Sequence, residues 1–344
     1  MPLTILTNDQ VKSILENLTL AQLDGFQRNL SKALHEYSTD VKAVQDGTYH
    51  QPQRTSYGNP QTGATTLFMP SVGPAGMGVK VVTATGFVNA GAITAFRTAL
   101  ASSCLLRLRG TVQDIVVFGA GKQAYWHLRL ALLQHGATVS RVTVINRSES
   151  TARQVLADLG AVAPEIRSRE GWQPAVLDAL TPDTVGYAGL LQTRLREADV
   201  IFAARRQGKT RLVVAVGSYT PDMRELPQEL LLQSAKASQD DPIDGGAIIV
   251  DTLEGVLSEA GEIIHAKVGP SRLVELGEVV DLDQIPQGAS LAEVRTKTEA
   301  RAHWLRNGNV IYKSVGLGLM DLTAGGYLLQ VANDIGLGTR VEDF

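Results

Sequence analysis

Apolar residues fall at helical spacing near both ends of the chain. Residues Thr7-Asn8-Asp9 provide candidate caps for a first helix, whose apolar face carries Val11, Ile14, Leu15 and Leu18. A second amphipathic helix is predicted from about Leu20 to His35, and a last one from Leu319 to Ile335.

Between these ends, the pattern first becomes extended. Thr65 to Met69 and Met77 to Val82 predict strands, and Ala92 to about Leu108 predicts a helix. Lys80 lies inside the second strand, where burying an unpaired charge is costly. Lys80 therefore either reaches solvent from an edge strand or faces a pocket that holds an anion.

The stretch from Asp114 to Ser148 predicts one βαβ unit. A β-branched strand leads into a glycine turn, followed by a helix with apolar periodicity to Gly136 and a second strand. In the turn, Gly119 allows the tight bend, Gly121 has no Cβ to block a pyrophosphate, and Ala124 lets helix and strand pack closely. This context predicts a dinucleotide site at the helix N-terminus.

The end of the second strand indicates which dinucleotide binds. An NAD enzyme usually has Asp or Glu there to hold the ribose 2′-OH, whereas this chain has Asn146, Arg147 and Ser148. A guanidinium and a hydroxyl suit a 2′-phosphate, so NADP(H) is predicted in preference to NAD(H). The alternative is that Arg147 is a solvated loop residue, with Glu149 close by.

Further strand-like runs follow in the second half of the chain, alternating with helical stretches. The runs are Val162 to Ile166, Asp199 to Ala203, Leu212 to Val216 and Ala247 to Val250. With the two strands of the βαβ unit they make six, which predicts a Rossmann-type doubly wound parallel sheet. Asp251 follows the last strand at its carboxyl end, where such sheets bind ligands, although Asp251 or Thr252 can equally cap the next helix.

Composition and charge set the outer limits. The 344 residues are too many for one ordinary core, which predicts two domains, and a net charge of −3 does not point to nucleic acid or an anionic membrane. The single cysteine, Cys104, is expected to be a buried core thiol, and the six histidines lack metal-ligand spacing, so no metal is predicted. The N-terminal region has no signal-peptide pattern and no membrane span is visible, so a cytoplasmic protein is expected.

Three cations lie in otherwise apolar N-terminal segments, at Arg54, Lys80 and Arg97. An isolated arginine at position 97 is typical of a surface residue. Together they are candidates for a clamp on a substrate carboxylate.

Five stretches in sequence resemble the ornithine cyclodeaminase/μ-crystallin family over nearly the whole chain. They are Thr94-Ala95-Phe96-Arg97-Thr98-Ala99; Gly119-Ala120-Gly121-Lys122-Gln123-Ala124; Val216-Gly217-Ser218 with Arg224-Glu225-Leu226-Pro227; Ile249-Val250-Asp251 with Glu259-Ala260-Gly261-Glu262; and Lys313-Ser314-Val315-Gly316 with Asp321-Leu322. Residues 146–148 resemble the NADPH-using μ-crystallin branch more than the NAD-using cyclodeaminases.

The resemblance implies a smaller α+β substrate and dimerisation domain built from both chain ends, 1–111 with 310–344, around a Rossmann domain at 112–309. It implies a homodimer, Asp251 and Lys80 as catalytic candidates, and Ser314 near the nicotinamide. Ala120, Gln123 and Val216 join the predicted cofactor-binding residues through the same motifs.

Two stretches depart from the family pattern. Only Val81 to Phe96 separates Lys80 from Arg97, where relatives usually carry a long hairpin, and Arg205 to Lys209 stands where they have a Thr/Ser/Pro-rich stretch beside the nicotinamide. Either these loops are trimmed in a working enzyme, or activity has been lost.

The function predicted from the sequence is NADPH-dependent reduction of a small cyclic imino acid, such as pyrroline- or piperideine-2-carboxylate. One alternative is conversion of ornithine to proline and ammonia with bound NAD(H). The other alternative is a non-catalytic, NADPH-controlled binding protein.

Overall fold

The structure is a computed structural model that describes residues 3–39, 46–58, 60–61, 65–74, 76–83, 90–202, 211–235, 247–280, 299 and 301–341. The chain divides into two compact units, one formed by Met1–Ala101 with Leu317–Phe344 and the other by Ser102–Gly316. None of the described helices combines the length and hydropathy needed to cross a bilayer.

In chain order, the elements up to the middle of the sequence are β1 (Leu3–Ile5), α1 (Asn8–Glu16), α2 (Leu20–Thr39), β2 (Thr55–Gly58), β3 (Thr65–Gly73), β4 (Gly76–Thr83), α3 (Ala90–Leu106), β5 (Asp114–Phe118), α4 (Lys122–His135), β6 (Arg141–Ile145), α5 (Glu149–Gly160), α6 (Pro164–Glu170) and β7 (Val176–Leu180). They continue with α7 (Tyr187–Glu197), β8 (Val200–Phe202), β9 (Leu212–Ala215), α8 (Gln228–Ser234), β10 (Ile248–Val250), α9 (Leu253–Glu259), α10 (Gly261–Ala266), β11 (Leu273–Glu275), α11 (Leu276–Val280), β12 (Val310–Lys313), α12 (Gly318–Asp334) and β13 (Thr339–Val341).

The first unit is built from both ends of the chain. Helix α12 packs on α2 and on strand β3, and β13 pairs antiparallel with β1. A capping box starts α1, because the Thr7 hydroxyl accepts from the Gln10 N–H and the Gln10 side chain accepts from the Thr7 N–H. The Phe26 ring contacts those of Phe96 and Tyr327 edge to face, at centroid distances of 5.1 Å and 4.6 Å.

A three-stranded antiparallel sheet, in the order β2-β3-β4, forms the rest of this unit. Lys80 lies opposite Met69, on the face of the sheet that packs against α12. Although β4 is an edge strand, the Lys80 side chain is only 9% exposed. The solvent-exposed alternative for Lys80 is therefore not what the structure has.

The opposite face of this sheet is apolar and exposed. Tyr57, Phe68, Met77 and Val79 are 67%, 41%, 81% and 59% exposed, and the strand register places them on one side. Such a patch on a folded protein usually marks an interface.

The second unit is built around an eight-stranded parallel sheet in the order β11-β10-β12-β9-β8-β5-β6-β7. From β5 the chain winds through β6 and β7 to one side, and then through β8 and β9 to the other. The direction reverses between β5 and β8, where doubly wound sheets bind their ligands at the carboxyl ends of the strands. The predicted doubly wound fold is confirmed, with eight strands in place of the six expected.

The predicted strand from Val162 to Ile166 is wrong. This segment runs from the end of α5 into α6, where Pro164 occupies the first turn. Proline suits that position because its fixed φ is helical and its missing N–H needs no acceptor. The third strand of this half is β7 (Val176–Leu180), which pairs with β6 at the sheet edge.

The division of the chain differs from the boundaries predicted, 1–111 with 310–344 and 112–309. Strand β12 pairs with both β9 and β10 and therefore belongs to the second unit, as does the chain from Ser102 onward. Four segments of interest lie outside the described residues: 84–89 between Lys80 and Arg97, 203–210 with the Arg205–Lys209 run, 236–246 and 281–298.

Candidate functional site

Gly119 and Gly121 shape the turn between β5 and α4. Gly119 has φ of +88°, a left-handed conformation that favours glycine, and its N–H donates to the Ile145 carbonyl at 2.9 Å. A Cβ added at either glycine would meet no atom within 4 Å. The turn therefore presents bare backbone to open space, as the close approach of a pyrophosphate requires.

Unpaired polar groups lie at the N-terminus of α4. Gly121 is the N-cap and no side chain caps the helix, whose first N–H with a helical acceptor is that of Tyr125, at 3.1 Å from the Gly121 carbonyl. The preceding N–H groups point out of the helix without helical acceptors. Gln123 lies in the same first turn, and Ala124 beside it is buried. This donor-rich end, with Ala120 in the open turn, fits the pyrophosphate of a dinucleotide.

A buried histidine supports this helix from behind. Nδ1 of His127 lies 2.8 Å from the Gln123 carbonyl oxygen, and Nε2 lies 3.0 Å from the Ser102 hydroxyl. Because a carbonyl only accepts, Nδ1 carries the proton and Nε2 accepts from Ser102. Burial lowers the pKa of His127 to about 4, so the ring is neutral and serves packing.

The end of β6 places the residues predicted to choose the cofactor. The Asn146 amide donates to the Ser148 carbonyl at 2.9 Å, and the Ser148 hydroxyl is the N-cap of α5. Arg147 is exposed and makes no hydrogen bond or ion pair with the described part of the chain. The Glu149 carboxylate is paired one turn along α5, with Nε of Arg153 at 2.7 Å from its Oε1. Glu149 is therefore engaged elsewhere, and the Arg147 guanidinium is open to a ligand.

Asp251 lies at the carboxyl end of β10 and is 1% exposed. One oxygen, Oδ2, accepts from the Ser314 hydroxyl at 2.6 Å, the Val315 N–H at 3.0 Å and the Gly316 N–H at 2.6 Å. The other oxygen accepts from the Thr252 N–H at 3.0 Å. The carboxylate thus fastens the turn after β12 to the end of β10, and Gly316, with φ of +96°, makes that turn possible.

The capping alternative for this position is not what the structure has. Neither the Asp251 nor the Thr252 side chain caps α9, whose Leu253 N–H donates instead to Oε1 of Glu275 at 2.7 Å. Asp251 therefore acts on the turn after β12 rather than on the helix that follows it.

A second buried network fixes the turn after β9, where Val216 lies. Both oxygens of Glu225 accept from the Gly217 N–H, at 2.8 Å and 2.9 Å. Nζ of Lys313, which is fully buried, lies 3.3 Å from Glu225 and 3.1 Å from Glu262. The turns that carry Val216 and Ser314 are thereby held at the same edge of the sheet as Asp251.

A separate cluster in the first unit, here called the anion site, contains Arg54, Lys80, Arg97 and Asp321. Nζ of Lys80 lies 3.0 Å and 3.1 Å from the two oxygens of Asp321, and Nε of Arg97 lies 3.1 Å from Oδ2. The Nε contact is an ion pair without hydrogen-bond alignment, because that atom has no hydrogen-bond partner. The side chains of Lys80, Arg97 and Asp321 are 9%, 6% and 12% exposed.

The anion site carries more positive than negative charge. Burial is the main cause that lowers the pKa of Lys80 to about 8, and the Arg97 and Arg54 charges act in the same direction, while Asp321 opposes them. Three cations and one carboxylate leave a net charge of about +2 when Lys80 is protonated. Because the buried Lys80 and Arg97 share the single carboxylate of Asp321, this arrangement favours binding a further anion.

The sequence prediction missed the acidic partners of both clusters. Asp321, Glu225 and Glu262 were visible only as parts of family motifs, and no spacing along the chain links them to Lys80 or Lys313. The available signal was the buried cation itself, because an apolar strand that carries a lysine requires a carboxylate or a ligand beside it.

The sequence of the chain is similar to those of known reductases. No protein-family model matches the chain. The chain is 25% identical over 374 aligned positions to the Δ1-pyrroline-2-carboxylate reductase of Bacillus cereus, covering 99% of both chains. It is 30% identical over 235 positions to Δ1-pyrroline-2-carboxylate reductase 1 of Burkholderia multivorans, covering 67% of this chain and 61% of that one.

Among solved structures, the fold is similar to that of the Δ1-pyrroline-2-carboxylate reductase of Thermococcus litoralis, a complex with NADH and L-proline. The TM-score is 0.65 and the identity 20%, with 98% of this chain and 100% of that chain covered. At that identity the likeness supports the fold.

Proposed function

Because this chain belongs to the ornithine cyclodeaminase/μ-crystallin family, we propose that it reduces the C=N bond of a small cyclic ketimine acid, such as pyrroline- or piperideine-2-carboxylate. The chain is an oxidoreductase of cyclic imino acids, and its cofactor is a nicotinamide dinucleotide. When bound, the reduced nicotinamide supplies hydride to the imine carbon.

The observation that carries the substrate class is the excess positive charge of the anion site. A ketimine acid bears one carboxylate, and Arg54, Lys80 and Arg97 provide charge-assisted donors for it. Each such hydrogen bond contributes about 1.5–3 kcal/mol. Asp321 occupies part of the donor capacity of Lys80, and the remainder is left for the substrate.

The imine nitrogen must gain a proton as the carbon gains hydride. In a cyclic ketimine acid the nitrogen and the carboxylate are attached to the same carbon, so a protein side chain that binds the carboxylate lies within reach of the nitrogen. Lys80, whose pKa is about 8, is close to the value at which a general acid works best near neutral pH. We therefore assign Lys80 the donation of that proton, which leaves a neutral amine at Nζ.

We assign Asp251 two roles, to support the iminium and to hold a turn of the site. Its negative charge favours a cationic ligand nearby, and its hydrogen bonds to Ser314, Val315 and Gly316 hold the turn that we assign to the nicotinamide. Val216 is assigned to the same end of the cofactor.

The cofactor residues proposed are those of the glycine turn and of the end of β6. The turn residues Gly119, Ala120, Gly121, Gln123 and Ala124 receive the pyrophosphate. The adenosine ribose is assigned to the residues at the end of β6, which are Asn146, Arg147 and Ser148. The unpaired Arg147 guanidinium supports NADP(H) in preference to NAD(H).

A homodimer is proposed through the apolar face of the three-stranded sheet. Tyr57, Phe68, Met77 and Val79 are too exposed and too close together for an isolated monomer surface. The family resemblance supports the same domain as the dimerisation domain.

The experiment follows nicotinamide absorbance with the purified protein, NADPH and a cyclic ketimine acid. Net NADPH consumption and formation of the cyclic amino acid are expected. A parallel reaction with ornithine and bound NAD(H) measures ammonia. Formation of ammonia and proline without net cofactor turnover would contradict this proposal and indicate a cyclodeaminase. Cofactor binding with neither reaction would indicate a binding protein.

A further inference from the structure

We propose that Asp321 is a positioning residue of the anion site, which holds Lys80 and Arg97 together and sets the pH range in which that site binds a carboxylate. The identity of the natural ligand rests on the proposed function, whereas the binding property does not. Among the described residues, Asp321 is the carboxylate in contact with both cations.

Asp321 is itself held in place by the start of α12. It lies in the first turn of that helix, where a negative charge is favourable to the helix dipole. The Leu319 N–H, in the same turn, donates to Oε1 of Gln51 at 2.8 Å. The carboxylate is thus fixed before any ligand arrives, and both of its oxygens face Lys80.

Arg97 keeps donors that Asp321 does not use. Its Nη1 lies 3.6 Å from Sδ of Met320, a weak acceptor, and its Nε approaches Asp321 off the hydrogen-bond direction. The ion pair therefore fixes the guanidinium while its hydrogen-bonding edge remains largely free for a ligand carboxylate.

The charge on Lys80 depends on Asp321. Lys80 faces Arg97 on α3, Asp321 on α12 and Arg54 in the segment before β2, and only Asp321 favours the protonated amine. Burial and the two arginines lower the pKa of Lys80, and Asp321 limits the decrease to about 8. Without the Asp321 charge, the pKa must fall further and Lys80 must lose its proton at a lower pH.

The affinity of the anion site for a carboxylate decreases as pH rises. Lys80 binds an anion as an ammonium, so affinity is full below its pKa and falls as pH rises through about 8. Asp321→Asn moves that fall to lower pH. A displacement of one pH unit raises the ratio of the Kd at pH 8 to the Kd at low pH about fivefold, because the charged fraction of Lys80 at pH 8 drops from about one half to about one tenth.

The test measures binding rather than turnover. The probe is cyclopentanecarboxylate, which stays ionised from about pH 6 to about pH 9.5, with its neutral amide as the control ligand. Its Kd is measured by ligand-detected NMR across that range for the wild type, Asp321→Asn and Asp334→Asn. Asp334 lies on the same helix, exposed and away from the cluster, so the matched change there should leave the profile in place.

The expected result is a midpoint near pH 8 for the wild type and for Asp334→Asn, and a lower midpoint for Asp321→Asn. In a Lys80→Arg background, which does not titrate in this range, Asp321→Asn should produce no shift. A folded Asp321→Asn protein with an unchanged midpoint, or the same shift in the Lys80→Arg background, refutes the proposal.

If Asp321→Asn does not fold, as judged by its thermal midpoint, Asp321→Glu decides. That variant keeps the charge, so it should keep the midpoint near pH 8 even where its longer side chain weakens binding. A lowered midpoint in Asp321→Glu contradicts the proposal. Because the probe cannot be reduced, failure of ketimine turnover with a normal binding profile would count against the proposed function alone.

Discussion

The substitution Asp251→Asn changes a buried residue that accepts four hydrogen bonds at the carboxyl ends of the strands. Asparagine keeps one acceptor oxygen and the shape of the side chain, and replaces the other oxygen with an NH₂ donor. If its oxygen serves Ser314, Val315 and Gly316, the amide faces the Thr252 N–H, where two donors meet. The charge that strengthens all four bonds is lost as well.

The cost in stability follows from those contacts. One buried N–H loses its acceptor, at about 1–3 kcal/mol, and the remaining bonds weaken from charge-assisted to neutral. We expect a loss of about 2–4 kcal/mol in the free energy of unfolding. For a unit of this size, that corresponds to a decrease of roughly 5–12 °C in Tm.

Turnover should fall by about 10²–10⁴, because the proposed function assigns support of the iminium to Asp251, which also positions the turn at Ser314. NADPH affinity should hardly change, since the pyrophosphate and ribose contacts are assigned to the first βαβ unit. Tm, NADPH titration and kcat are measured on one sample.

Asp199→Asn is the matched control. Asp199 precedes β8, at the amino-terminal ends of the strands of the same sheet. Its Oδ2 accepts from the N–H groups of Gln113 and Asp114 at 2.8 Å and 3.1 Å. This variant should lose stability and keep kcat. An Asp251→Asn enzyme that loses stability but retains kcat within about threefold, as the control does, would remove Asp251 from the mechanism.

Three further results are expected. Arg147→Ala should weaken NADPH binding by about 10–150-fold, which is the 1.5–3 kcal/mol of a charge-assisted contact, and should leave NADH binding unchanged. Arg153→Ala, which removes the partner of Glu149, should affect the binding of neither cofactor. Equal losses for both cofactors in Arg147→Ala would make Arg147 a loop residue. Arg97→Ala should lower kcat/KM for the ketimine by at least about tenfold with NADPH affinity retained, so a folded variant with full activity would refute its role in the clamp. Met77→Asp, on the exposed sheet face, should shift the proposed homodimer towards monomer in light scattering, whereas a dimer mass retained by the variant would place the interface elsewhere.

The local parts of the fold were readable from the sequence. The β-branched run, the glycines at 119 and 121 and the helix that follows all lie within one βαβ unit, so their spacing alone identifies it. Helix α1 was predictable for the same reason, because its cap and its apolar face are close in sequence. The doubly wound sheet followed from the repetition of such units.

Non-local pairings were not readable. Strand β12 enters the sheet between β9 and β10, although about sixty residues separate it from β10 along the chain, and nothing in its own composition says which strands it joins. The segment 162–166 was wrongly predicted as a strand, because a short apolar run occurs in both strands and helices. Pro164 favours the helix that the structure has, since it lies in the first turn of α6.

The candidate site shows the same limit. The sequence identified Lys80 and Arg97 as cations in apolar segments, but their common partner, Asp321, lies 241 residues beyond Lys80. In the same way, Asp251 was found from its position after a strand, while its partners at 314–316 came only from the structure. The sequence singled out Lys80 as a charge in an apolar strand, whereas its burial and the carboxylate that balances it came from the structure.

Isotope transfer tests the central claim most directly. The purified protein is incubated with NADPH that carries deuterium at the transferable C4 position and with Δ1-pyrroline-2-carboxylate, and the product is examined by mass spectrometry and NMR. Reduction of the C=N bond predicts proline with one deuterium on its α-carbon and an equal amount of NADP⁺. Proline without deuterium, or no proline from a protein that binds NADPH, would contradict the account.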